Sequence, residues 1–167
     1  MKVIFLDIDG VLNSYDYYEK TQRYTDLIDA DNLKVLKEIV NQTDARIVLT
    51  SSWRRGWRHE FEDCTEEMQE MLLEFHKFGL EVFSRTGCDE TCRREMEIFQ
   101  WIKKCQEPID GIVILDDGPF EWKKKHLESY VVKTDFQKGG LLKEHIKKAV
   151  DILNQPLPLR YRLRKFV

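Results

Sequence analysis

Oxygen-bearing side chains stand in three short clusters: Asp7-Ile8-Asp9-Gly10, Thr50-Ser51-Ser52 and Asp116-Asp117. Each cluster directly follows an apolar run: Val3-Ile4-Phe5-Leu6, Ile47-Val48-Leu49 and Ile112-Val113-Ile114-Leu115. If those runs are parallel strands, the clusters share one sheet edge, and residues far apart in sequence converge. Four carboxylates in one crevice repel each other unless a cation sits among them. An all-oxygen donor set favours Mg²⁺ over a transition metal. Hydroxyls and backbone N–H groups at the second strand end suit the oxygens of a phosphoryl group. The chemistry this allows is phosphoryl transfer with a carboxylate nucleophile. A calcium loop is excluded by register. Val11 falls where a third ligand is needed, Leu12 where the glycine is, and Tyr18 where the glutamate is.

The elements that must position these clusters are legible in outline. The three apolar runs and Tyr130-Val131-Val132 read as buried strands, and residues 80–83 as a shorter one. Asp31 is placed to cap a helix whose apolar face is Leu33, Leu36, Ile39 and Val40. Residues 66–78 predict a second helix, with Gly79 as its C-terminal cap. Further helices are expected over 93–104 and 141–153, whereas 11–28 shows no clear periodicity. Strands alternating with helices predict an α/β fold. Its sheet is mostly parallel and covered by helices on both faces, a three-layer Rossmann-like arrangement.

Phe5-Leu6-Asp7-Ile8-Asp9-Gly10-Val11-Leu12-Asn13 resembles the first motif of the haloacid dehalogenase (HAD) superfamily. Val48-Leu49-Thr50-Ser51-Ser52-Trp53-Arg54 is similar to its second motif, and Val113-Ile114-Leu115-Asp116-Asp117 to its fourth. The fuller string resembles a small HAD branch associated with RNA-repair (Swiss Army Knife) proteins. It has Ser-Ser-Trp-Arg, an Arg94-led helix, Ile-Leu-Asp-Asp and a late Thr134-Asp135…Gly140-Leu141. The resemblance implies a minimal-cap HAD phosphatase with Asp7 as the nucleophile that becomes an aspartyl-phosphate. It implies Asp9 as general acid and then base, and Mg²⁺ held by Asp7, Asp9 through its carbonyl, Asp116 and Asp117. Thr50, Ser51, Ser52 and Arg94 would bind the phosphate, Arg94 standing for the superfamily's usual lysine.

Beside the second motif, Trp53, Arg54, Arg55, Trp57, Arg58 and His59 interleave basic and aromatic groups. Arg54, Arg55 and Arg58 are therefore candidate substrate-binding residues for a nucleotide or nucleic-acid end. Phosphoproteins and small metabolites are alternative substrates, and a non-catalytic phosphate- or nucleic-acid-binding module is a further alternative. Tyr15, Tyr17, Tyr18 and Tyr24 follow the first motif, where they are placed to stack on a base.

The 167 residues suit one domain, with a small helical insert expected at 53–92 and a basic tail at 156–167. A net charge of −3 argues against a chain-wide nucleic-acid field. No apolar run nears the roughly 18 residues of a bilayer span, and none resembles a secretory leader. A cytoplasmic protein without a membrane contact is expected, and no obligate protein partner is inferable. The four cysteines lack zinc-site spacing, so reduced structural thiols are expected.

Overall fold

The computed structural model describes residues 1–21, 27–88, 93–158 and 161. Its elements are β1 (Lys2–Leu6), α1 (Tyr15–Thr21), α2 (Ala30–Thr43), β2 (Arg46–Leu49), α3 (Glu66–Lys77), β3 (Val82–Arg85), α4 (Arg94–Lys104), β4 (Gly111–Asp116), β5 (Val131–Lys133) and α5 (Glu144–Leu153). The strands form one all-parallel sheet in the order β3-β2-β1-β4-β5. This is the expected α/β, Rossmann-like architecture.

β1 lies at the centre, and Val3, Ile4, Phe5 and Leu6 are wholly buried. Neighbours on both sheet faces therefore cover it, which is why the run is continuously apolar. Each fully buried aliphatic side chain of this kind contributes about 1.5–3 kcal/mol. α2 buries Leu33, Val35, Leu36 and Ile39, and Trp101 of α4 meets Phe5 edge-on with ring centroids 5.4 Å apart.

Several boundaries differ from the sequence reading. The cap of α2 is Asp29, whose extended backbone lets its carboxylate accept from Asp31 N–H; Asp31 is already inside the helix. β3 begins two residues later than expected; it is an edge strand whose residues alternate between half-buried and exposed. α1 buries no residue, so it left no apolar period to read.

The expected insert at 53–92 is, over its described residues, mainly the β2–α3–β3 crossover. Met68, Met71 and Phe75 of α3 belong to the main core. Cys64, Cys88 and Cys105 are free thiols, while Cys92, Tyr24, Arg160, Arg162, Arg164 and Lys165 lie outside the described residues. No helix among the described residues is long and apolar enough to cross a membrane.

β1 and β4 are neighbours, yet the chain leaves β1 toward β2 and leaves β4 toward β5. Such a reversal opens a crevice beyond the carboxyl ends of the two strands.

Candidate active site

The hydrogen-bond ladder continues one residue past the strands. Asp7 N–H donates to Leu115 O at 3.0 Å, Thr50 N–H to Leu6 O at 2.8 Å, and Thr134 N–H to Asp116 O at 3.2 Å. The polar residues at these strand ends thus stand on backbone as constrained as the sheet itself. Asp7, Asp116 and Asp117 each offer a carboxylate oxygen, and these atoms lie within 4.8 Å of one another.

Arg94, the first residue of α4, reaches into this cluster. Its Nη1 is 3.0 Å from Asp116 Oδ2, 3.2 Å from Asp7 Oδ1 and 3.1 Å from Thr50 Oγ1. The Phe120 ring lies under its guanidinium, 4.9 Å from centroid to Cζ. One guanidinium does not satisfy three carboxylates. Burial first, and the Asp7 charge second, push the Asp116 carboxyl up to about 7 against the opposing pull of Arg94 and Gly118 N–H. Burial and Asp7 likewise raise Asp117. The cluster is short of positive charge, and its donors are all oxygen, so a hard divalent cation such as Mg²⁺ fits it.

Two glycines make the approach possible. Gly10 has φ +76°, and a Cβ there would lie 2.1 Å from Asp117 Oδ2. Gly118 donates its N–H to Asp116 Oδ1 at 2.7 Å.

Asp9 stands apart from the three clustered carboxylates. The chain turns sharply after Asp7, with Val11 N–H and Leu12 N–H both donating to Ile8 O. The exposed Asp9 carboxylate accepts from Asn13 Nδ2 at 2.9 Å and from the Trp53 indole at 3.1 Å. Asn13 Oδ1 in turn accepts from Gly10 N–H, which fixes the turn.

At the second strand end Thr50 and Ser51 are fully buried, and the Ser51 hydroxyl accepts from Trp53 N–H at 3.4 Å to cap a 3₁₀ turn over Ser52–Gly56. Ser52, Arg55 and Arg58 are exposed on and just after that turn.

Arg54 corrects the sequence reading. Expected at the substrate, it is interior, with its side chain 5% exposed. Its guanidinium donates to Thr50 O, Ser51 O and Gly87 O and pairs with Glu97 at 2.8 Å. It props the second motif from behind.

The family model of the HAD domain in Swiss Army Knife RNA repair proteins matches residues 3–146. The chain belongs to this HAD family. No curated protein and no solved structure matches it. Membership supports a phosphatase-like hydrolase function and use of a divalent metal.

The HAD motifs of the sequence reading come together here: Asp7, Thr50, Arg94, Asp116 and Asp117 share one crevice. Three residues in this HAD site went unassigned in the sequence, namely Asn13, Glu97 and the Trp53 indole as partner of Asp9. Glu97 had a signal. Residues 94, 97, 98, 101 and 102 fall on one helical stripe, so Arg94 and Glu97 share the face of Ile98 and Ile102.

Proposed function

We propose that the protein is a Mg²⁺-dependent phosphatase that passes a phosphoryl group first to Asp7 and then to water, with nucleotides or nucleic-acid ends as substrates. The observation that carries this reading is the Asp7–Asp116–Asp117 cluster bridged by Arg94 at a sheet switch point.

Asp7 attacks phosphorus, the bond to the leaving oxygen breaks, and Asp9 delivers a proton to that oxygen. A water then attacks the aspartyl-phosphate while Asp9 takes its proton, releasing phosphate and regenerating the Asp7 carboxylate. Trp53 and Asn13 hold Asp9 for both proton transfers. Arg94 and the hydroxyl or amide donors of Thr50, Ser51 and Ser52 stabilise charge on the three phosphoryl oxygens. Asp7, the Asp9 carbonyl, Asp116 and Asp117 would hold Mg²⁺, which when bound supplies electrostatic neutralisation of the transferring group. Arg55 and Arg58, exposed beside the second motif, are suited to contact the flanking part of a polynucleotide.

Turnover of p-nitrophenyl phosphate tests this reading. It should require Mg²⁺ and vanish in Asp7→Asn. Asp9→Asn should give a burst of about one equivalent and then slow turnover, because the aryl group leaves unaided while hydrolysis of the intermediate still needs a base. Full activity in Asp7→Asn would eliminate the covalent mechanism.

A further inference from the structure

Beyond β5, on the side of the carboxylate cluster away from the basic second-motif turn, Asp117, Lys133, Thr134, Asp135 and Phe136 line a cavity of about 490 Å³. Asp117 belongs to the cluster, so the cavity adjoins the reacting centre. Its walls carry two different recognition groups.

Lys133 is exposed and forms no ion pair among the described residues, although its charge is felt by Asp117. Lys138, by contrast, already lies 3.4 Å from Asp135 Oδ2. Thr134 is 3% exposed, and its hydroxyl is buried without a hydrogen-bond partner. That oxygen is closed to the cavity, so it takes no part in recognition. Phe136 presents a half-buried ring, backed by Tyr18 at a centroid distance of 6.4 Å and a tilt of 50°. Tyr18 in turn lies near enough to feel the Asp9 charge. The aromatic wall therefore spans from the cavity toward the proton-transferring carboxylate.

An exposed cation and an aromatic face within one small cavity match a planar base attached to a second anionic group. We propose that this cavity is a substrate subsite beside the carboxylate cluster and takes a nucleoside that carries a second phosphate. The base lies on Phe136, and the second phosphate meets Lys133. The assignment rests on the phosphatase reading of Asp7, which would put the transferring phosphate at the cluster that Asp117 shares with this cavity. The volume is that of a small-molecule site, which run from about 300 to 1,000 Å³, and favours a nucleotide over a peptide segment. The second phosphate belongs either to a free nucleoside bisphosphate or to the first linkage of a polynucleotide end.

Equilibrium titration in Mg²⁺ buffer, in the turnover-deficient Asp7→Asn background so that the probes are not consumed, separates these cases, with adenosine 5′-monophosphate, adenosine 3′,5′-bisphosphate, the 5′-phosphorylated dinucleotide pApA and a phosphoserine peptide as probes. The bisphosphate should bind at least about tenfold tighter than the monophosphate, the increment of a charge-assisted contact. Lys133→Ala should erase that preference and Lys133→Arg retain it. Phe136→Ala should weaken both nucleotides about tenfold, as loss of one stacking partner does, and Phe136→Tyr should restore them. Tighter binding of pApA than of the bisphosphate identifies a polynucleotide end, and the reverse order identifies a free nucleotide. Both orders support the subsite. Equal affinity for mono- and bisphosphate, a preference that survives Lys133→Ala, or tighter binding of the phosphopeptide overturns it. Thermal melts of each variant verify folding. Because these are binding measurements, they judge the cavity even if p-nitrophenyl phosphate is not turned over, which would defeat the phosphatase reading by itself.

Discussion

Glu97→Gln tests the support behind the second motif. Glu97 and Arg54 form an ion pair at 2.8 Å with side chains only 2% and 5% exposed. The amide keeps the shape but leaves the Arg54 charge buried without a counter-charge. Breaking one side of such a pair costs about 3–5 kcal/mol, a large part of the 5–15 kcal/mol that holds a typical domain together. For a chain of this length the melting temperature should fall by about 6–20 °C, at 2–4 °C per kcal/mol. Chemical denaturation followed by tryptophan fluorescence gives the free energy directly. Arg54→Met supplies the second edge of a double-mutant cycle, and the double variant should be less destabilised than the two single losses together. A coupling above about 1.5 kcal/mol is expected for groups in direct contact. Arg54 also holds the Thr50 and Ser51 carbonyls, so turnover should fall in both single variants below their melting range. A loss under about 1 kcal/mol, or additive effects, would refute the argument that this pair is a coupled internal brace.

Three further outcomes follow from the site. Gly10→Ala should cost about 1–2 kcal/mol for its left-handed backbone and displace Asp117, so the Mg²⁺ concentration needed for half-maximal activity should rise; an unchanged Mg²⁺ dependence would refute the close approach. Asp116 is raised to about 7 in the folded protein, so the metal-free protein should lose stability as pH climbs from about 4 through 7, by an amount on the order of 4 kcal/mol. Stabilisation by Mg²⁺ in thermal melts should accordingly be larger at pH 8 than at pH 5.5, and Asp116→Asn should flatten the difference; equal stabilisation at both pH values would contradict it. Trp53→Phe keeps the ring but deletes the donor to Asp9, so kcat should fall about tenfold for an alkyl phosphate and less for p-nitrophenyl phosphate, whose leaving group needs little protonation. An equal fall on both substrates would show that the indole acts on the fold and not on Asp9.

The sequence by itself determined the main strands and the polar clusters at their ends. β1, β2 and β4 are the inner strands and are buried on both faces, which writes them as unbroken apolar runs, with the break to Asp or Thr marking the edge. α2, α3 and α4 each bury one stripe, and a stripe has a period. These signals arise within one segment and survive without neighbours. Motif order then sufficed to bring Asp7, Thr50 and Asp116 to one sheet edge. Elements with little burial of their own were harder to read: α1 buries nothing, and edge strand β3 is half-exposed.

Tertiary structure alone decided which side each polar group serves. Arg54 and Arg55 are adjacent in sequence and equally basic, yet the 3₁₀ turn after Ser51 sends one inward to Glu97 and leaves the other exposed. The same turn brings the Trp53 indole across to Asp9, a pairing 44 residues apart along the chain. Lys133 and Phe136 share a cavity with Asp117 only because β5 runs beside β4. Local patterns encode how much of a segment is buried, while a cavity or an ion pair depends on where separate segments meet in space. That meeting is fixed by strand order, the turns after each strand and the packing of the whole core.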